Sequence, residues 1–396
     1  MDAIGVIIFV VALLVSVMLH ETGHFVVAKR FGMKVTRYFV GFGPTLWSTW
    51  RGETEYGIKV LPFGGFVKIV GMHSLDDPDD PDDEARAFRS HPAWQRILVL
   101  LAGSAMHFLL ALILVFGLAL TVGIAYGNTQ VGTLSSCVPV SLNAYDNGSC
   151  TGSHVPSPAK VAGLRLGDVV TAVDGHPVTN FNQLTDEIRP LPAGTPVTIT
   201  VRRDSKLVNL HTKVAHIPGR SGSYLGVAYS GYVFQIPSPL GAIEYSGTTF
   251  GQVLAGSAQA AAQLPGELHN LFNKNRSKTG VVGVVGAAEI TGDEVASNQG
   301  WQYKVTDVLL IIASLNVFVG AFNLLPLLPL DGGHIAVIVY ERIRAWLARL
   351  RGRPDPGLVD MAKLLPVSFS LFLILIVFSV VLILADIINP VNITGG

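Results

Sequence analysis

Leu13-Leu14-Val15-Ser16-Val17-Met18-Leu19-His20-Glu21-Thr22-Gly23-His24 lies within an apolar run that begins at Ala3 and reaches Ala28. About 20 apolar residues cross a bilayer, so a membrane helix carrying two histidines and a glutamate near its far end is expected. Positions four apart share one helix face, which lets both imidazoles reach a single Zn²⁺ while Glu21, beside the first of them, meets the attacking water. In a soluble chain these five residues would say little. At membrane depth ionisable side chains are expensive and mark function. Asp2 stands where a signal peptide carries basic residues and no small-residue cleavage site follows, so the run is expected to be retained.

Three further stretches have the length to span, Ile97 to Tyr126, Val308 to Leu330 and Leu364 to Ala385. Composition agrees: of 396 residues 49% are hydrophobic and only 14% charged, with mean hydropathy +0.47, where soluble domains carry about 25% charge. The formal net charge is zero, so no long-range field draws in nucleic acid and no such partner is expected. Two cysteines are too few for a disulfide scaffold or a four-thiolate zinc site.

Lys and Arg set the orientation. Ten lie between the first two spans, from Lys29 to Arg96, and more from Arg342 to Lys363, whereas neither terminus carries any; both termini are therefore expected outside the cell membrane and the metal motif toward its cytoplasmic side. Gly127 to Lys304 is then extracytoplasmic, where Cys137 and Cys150 are expected to form one disulfide. The acidic run Asp76 to Glu84 is expected to be a solvated cytoplasmic loop. Leu254 to Phe272 is expected to be a surface-lying amphipathic helix broken or kinked at Pro265.

Two histidines leave zinc short of a protein ligand. Asp331 follows Leu324-Leu325-Pro326-Leu327-Leu328-Pro329-Leu330 and is the only carboxylate between Asp307 and Glu341. At about 1.5 Å per residue, His20 lies roughly 26 Å below Ala3, and Asp331 ends a span running the same way, so both reach the same side. Pro326 and Pro329 are expected to interrupt the helix there.

Between these motifs, Val169 to Val173, Val197 to Arg202 and Leu207 to Val214 read as strands. Ser157-Pro158-Ala159, Ala162-Gly163-Leu164-Arg165-Leu166-Gly167-Asp168 and Val173-Asp174-Gly175-His176-Pro177 resemble a bacterial PDZ domain over residues 129–229, with Phe181 to Ile188 as its helix and Leu225-Gly226-Val227 as a final strand. Such a domain accepts peptide termini or substrate ectodomains by strand addition.

Taken together, His20-Glu21-Thr22-Gly23-His24, the run from Asn323 through Pro326 and Pro329 to Leu330-Asp331-Gly332, and the inserted PDZ-like stretch resemble the site-2 protease family, bacterial intramembrane zinc metalloproteases of the RseP type. The resemblance implies one zinc ion per chain on His20, His24 and Asp331, with Glu21 as general base. It also implies cleavage within the transmembrane segment of single-pass proteins such as anti-sigma factors or signal-peptide remnants, in regulated intramembrane proteolysis. The expected fold is a polytopic α-helical membrane protein with four transmembrane helices and a membrane-associated β-region, into which an extracytoplasmic α+β PDZ domain is inserted. Its parts are residues 1–128, the PDZ domain 129–229, a juxtamembrane segment 230–304 and a C-terminal core 305–396. The chain departs from the family in its second core helix, which reads Ala102-Gly103-Ser104-Ala105-Met106-His107.

Asn316 and Asn323, seven residues apart, share a helix face and are expected to donate to the oxyanion or hold the substrate backbone. Tyr38 to Pro44 and Tyr56 to Val70, broken at Pro62-Phe63-Gly64-Gly65, read as strands beside the active site; Gly41, Phe42, Gly43, Gly64 and Gly65 are expected to receive an unwound substrate as an added strand. A binding-only scaffold is disfavoured by the complete ligand set, and a transporter by the lack of an inverted repeat.

Overall fold

The computed structural model describes residues 2–72, 81–150, 152, 155–267, 271 and 282–389. In chain order, α1 (Ala3–Arg30) leads into two long strands, β1 (Val35–Arg51) and β2 (Thr54–Ile69), and then α2 (Ala93–Thr121). An insertion follows, with β3 (Ile124–Gly127), β4 (Val131–Leu134), α3 (Leu142–Asp146), α4 (Pro158–Ala162), β5 (Val169–Val173), β6 (His176–Pro177), α5 (Phe181–Ile188), β7 (Pro196–Arg203), β8 (Lys206–Lys213), β9 (Ala215–His216), β10 (Ser223–Tyr224), β11 (Val227–Tyr229) and β12 (Tyr232–Gln235). The chain ends in helices α6 (Pro239–Glu267), α7 (Val284–Ala296), α8 (Trp301–Asn323), α9 (Asp331–Leu350) and α10 (Leu365–Ile388). Thr121–Pro237 forms one compact unit and the remainder of the chain another.

Among the described residues, four helical stretches are long and apolar enough to cross a membrane: α1, α2, α8 and Met361–Ile388. Their ends differ from the sequence expectation. The second stops at Thr121 rather than Tyr126, because Ile124–Gly127 pairs as a strand with Tyr232–Gln235. The third begins at Trp301 and ends at Asn323 rather than Leu330; the interruption expected at Pro326 and Pro329 is there, since both lack the amide hydrogens a helix needs and the chain turns before α9. The amphipathic segment expected to start at Leu254 is part of α6, which starts at Pro239 and runs past Pro265 to Glu267; Phe272 lies outside the described residues. α6 packs through Tyr245, Phe250 and Val253 on Ala111 and Val115 of α2 and Ala313 and Val317 of α8.

β1 and β2 each bend back on themselves, and β2 does so at the expected Pro62-Phe63-Gly64-Gly65. Tyr38 lies between Val67 on one side and Tyr56 on the other, while Ser48 to Arg51 pair with Gly57 to Thr54. Val35–Val40 is thus central, and Gly65–Ile69 is an outer segment paired on that side alone among the described residues. Positive φ at Gly41 (84°), Gly43 (85°) and Gly64 (95°) makes the bends. The tight turn at Gly52-Glu53 is tied to the end of α1: Glu53 accepts from Arg86 Nη1 at 2.7 Å, Arg86 Nη2 at 2.8 Å and Lys29 Nζ at 2.6 Å. The hydrogen bonds from Arg86, with Lys29 adding to them, hold the Glu53 carboxyl down at about 2. Part of the acidic run departs from a free loop. Asp76 to Asp80 lie outside the described residues, but Pro81–Arg86 forms a 3₁₀ helix in which Asp83 pairs with Lys34 and Glu84 with Arg89, because basic partners offset the self-repulsion.

The inserted unit extends beyond residues 129–229 at both ends, since β3 pairs with β12. Its main sheet runs β6-β5-β7-β8, and α5 covers it with Leu184 and Ile188 packed on Val170, Val173, Ile199 and Val201. Strand formation follows from the alternation of Val197, Ile199 and Val201 inward. The strand expected at Leu225-Gly226-Val227 is Val227–Tyr229, paired with β4. Cys137 and Cys150 are joined by a disulfide, as expected.

Asp168 begins this core's polar anchor. It is 2% exposed, accepts from Arg203 Nε at 2.8 Å and Nη2 at 2.6 Å and from the Arg165 amide at 2.8 Å, and the Arg203 hydrogen bonds hold its carboxyl below the ordinary range. Asp168→Ala is expected to cost the inserted unit about 2–3 kcal/mol, because Arg203 and the Arg165 amide lose their acceptor. Limited proteolysis of the intact protein should show earlier cutting within 121–237, and unchanged resistance would refute this role.

Candidate active site

The site starts at a helix crossing. A Cβ on Gly23 would lie 2.4 Å from the Ala102 carbonyl oxygen, so glycine at this position lets α1 and α2 touch backbone to backbone. The same crossing brings Gly103 against both histidine rings: its Cβ would fall 2.5 Å from His24 Nε2 and 2.6 Å from His20 Cε1. His24 is 3% exposed, and its Nδ1–H donates to the Val99 carbonyl of α2 at 2.8 Å, which leaves the Nε2 lone pair facing inward.

The two Nε2 atoms are 3.0 Å apart, and Asp331 Oδ2 lies 3.4 Å from each. Ligand atoms held about 2.0–2.1 Å from a tetrahedral zinc ion are separated by about 3.3 Å, so this triangle matches one face of such a site. Asp331 Oδ2 is buried and receives no hydrogen bond, as a carboxylate oxygen reserved for a cation requires. Two imidazoles and one carboxylate are the donor set of a catalytic zinc centre, with a fourth position left open. The residues present fit the metal. Asp331 also opens α9, directly after the Leu324–Leu330 turn that Pro326 and Pro329 create, so interruption of the helix is what brings the carboxylate to the histidines.

Glu21 faces the sheet. Its Oε2 accepts from the Val67 amide at 2.9 Å, Thr22 Oγ1 lies 2.8 Å from Tyr38 Oη, and a Cβ on Gly65 would meet Met18 Sδ at 2.5 Å. The outer segment Gly65–Ile69 is therefore fastened along α1 at the level of the metal ligands. Gly64 lies near Phe42 and Val17, whereas Gly41 and Gly43 border Leu61. Asn316 is 1% exposed and its amide is engaged: Nδ2 donates to the Ile312 carbonyl at 2.8 Å, and Oδ1 faces Ser16 and His107. Asn323 is the half-buried last residue of α8.

The model of peptidase family M50 matches residues 8–353. The chain belongs to this family. Zinc metalloprotease Rip1 of Mycobacterium tuberculosis is 36% identical to it over 407 residues, covering 98% of each chain. The Mycolicibacterium smegmatis protein of the same name is 35% identical over 99% of each, and a putative zinc metalloprotease of Clostridium perfringens is 31% identical over 83% of this chain and 85% of that one. A solved PDZ domain of an SdrC-like protein from Listeria monocytogenes is similar over 24% of this chain and 90% of its own, at 20% identity and TM-score 0.17. The M50 protein is thus a membrane zinc metalloprotease of the site-2 protease type.

The sequence motifs point to His20, Glu21, His24 and Asp331, of which the fold brings the two histidines and Asp331 together, but they do not mark Gly103, Val67 or Ser16 as neighbours. The small pair Ala102-Gly103 in an apolar helix was the available signal for the close crossing. Nothing in the spacing marks Val67, whose backbone rather than side chain makes the contact.

Proposed function

We propose that this M50 protease hydrolyses peptide bonds within transmembrane segments of single-pass membrane proteins, with anti-sigma factors and signal-peptide remnants as the substrate class, in regulated intramembrane proteolysis. The observation that carries the reading is the convergence of His20, His24 and Asp331 at a helix crossing, with Glu21 beside them and bonded to an outer strand segment.

His20, His24 and Asp331 would hold one zinc ion. When bound, zinc acts as a Lewis acid on the scissile carbonyl and lowers the pKa of water toward about 7. Glu21 takes a proton from the attacking water and delivers it to the leaving amine nitrogen. A helical peptide bond is shielded by its own hydrogen bonds, so the substrate must unwind first. Gly64 and Gly65, with Gly41, Phe42 and Gly43 shaping the bend, offer it the outer edge of Gly65–Ile69 as a pairing strand, which sets the extended chain next to Glu21. Asn323 holds the substrate backbone at the end of α8, and Asn316 supports the site from within the helix bundle. The Lys and Arg distribution supports termini and inserted domain outside and the active site toward the cytoplasm. The PDZ-like sheet supports a role in admitting peptide termini or trimmed ectodomains.

The test is cleavage of a single-pass reporter by purified protein in lipid, with and without a metal chelator. Cleavage inside the membrane segment that stops on chelation and returns with Zn²⁺ is expected; chelator-resistant cleavage, or cleavage confined to extramembrane loops, overturns the proposal.

A further inference from the structure

His24 and His20 are held in unequal ways. The His24 ring is fixed by its hydrogen bond to Val99, whereas buried His20 Nδ1 closes no comparable bond and has the Gly103 backbone beside it as its weaker contact. A metal-binding histidine needs its ring plane fixed, ordinarily through the nitrogen that does not bind the metal. The contact available to His20 is another ring. His107 of α2 is 2% exposed, and its ring centroid lies 5.0 Å from that of His20 with the planes inclined by 41°.

His107 is itself pinned. Its Nδ1 lies 2.9 Å from Asn316 Oδ1 and 3.0 Å from Ser16 Oγ. Because Asn316 Nδ2 donates to the Ile312 carbonyl, the atom facing His107 is the amide oxygen, which only accepts. Ser16 Oγ also donates to that oxygen. The proton therefore sits on His107 Nδ1, shared between the amide oxygen and the Ser16 hydroxyl oxygen. Ser16 stands one turn before His20 on α1, and Gly320 of α8 closes on the other side, where its Cβ would come 3.1 Å from the His107 Cβ. Residues from α1 and α8 thus lock one imidazole of α2 against the metal ligand that is held less firmly.

We infer that His107 is a positioning residue of the metal centre, acting through ring contact on His20, with Ser16 and Asn316 setting its orientation. The inference rests on the zinc assignment proposed above. It explains why an ionisable side chain occupies the apolar second helix without reaching the metal triangle, among polar groups that satisfy one another.

The full chain in lipid carrying His107→Ala, His107→Leu or His107→Phe tests it, with Zn²⁺ affinity read by chelator competition and ligand geometry by visible absorption of the Co²⁺-loaded protein. Outer partners of metal-binding histidines affect affinity about 10- to 100-fold. Ala and Leu are expected to weaken Zn²⁺ binding by that factor and to shift the Co²⁺ bands. Phe, which keeps a ring against His20, is expected to regain most of the loss. A helix-packing role alone would let Leu restore what Ala removes. Wild-type affinity and spectrum in folded Ala and Leu variants overturns the inference, as does a Phe variant as weak as Ala. If the wild-type chain fails to bind Zn²⁺, or His20→Ala binds it equally well, the zinc assignment itself falls.

Discussion

Replacing Glu21 by Gln is expected to lower peptide hydrolysis about 10²- to 10⁴-fold, the span ordinarily contributed by a general base, while zinc content stays unchanged. Gln keeps an oxygen that accepts from the Val67 amide, so the outer strand segment stays fastened to α1. His20, His24 and Asp331 retain their mutual separations because none of them depends on the Glu21 carboxylate. What disappears is a group able to take a proton at neutral pH. The measurement is reporter turnover per bound zinc in the purified variant. Turnover within a few-fold of the unmodified protein would show that the proton goes elsewhere.

Adding one methyl group at Gly103 is expected to have the second largest effect. In Gly103→Ala the new Cβ is directed 2.5 Å from His24 Nε2 and 2.6 Å from His20 Cε1, where no real contact is that short. His24 cannot swing aside without breaking its hydrogen bond to Val99, and moving α2 outward would open the Gly23 crossing. Zinc affinity should fall by at least the 10- to 100-fold typical of changes beside metal ligands. The fold should survive, since alanine is a better helix former than glycine. Normal membrane extraction and unchanged resistance to limited proteolysis would confirm that the variant is folded. Full zinc occupancy at limiting metal would mean that α1 and α2 do not approach as closely as the two glycines indicate.

The local signals in the sequence were strong. Spacing of His20 and His24 on an apolar helix, the prolines before Asp331, and the alternation of Val197, Ile199 and Val201 each specify an element from neighbours a few residues away. α5 and β5 fall at the expected residues, because capping and turn chemistry act over three or four positions. Helix ends were less legible. Val308 to Leu330 has the hydropathy of one span, and although Pro326 and Pro329 mark its interruption, they do not say that the helix already stops at Asn323.

Sequence by itself determined that the chain is rich in membrane-length helices, carries a metal-ligand pair with an adjacent base, and supplies one distant aspartate of the right kind. Only the tertiary structure decided that Asp331 lies 3.4 Å from both histidines, that Val99 fixes one ring and His107 abuts the other, and that Glu21 reaches a backbone amide at Val67. The physical reason is the range of the contacts. Periodicity and motif spacing report which face of one helix is polar, but how closely two helices cross depends on a missing side chain at Gly23 meeting a carbonyl at Ala102, and no pattern within either helix contains that distance.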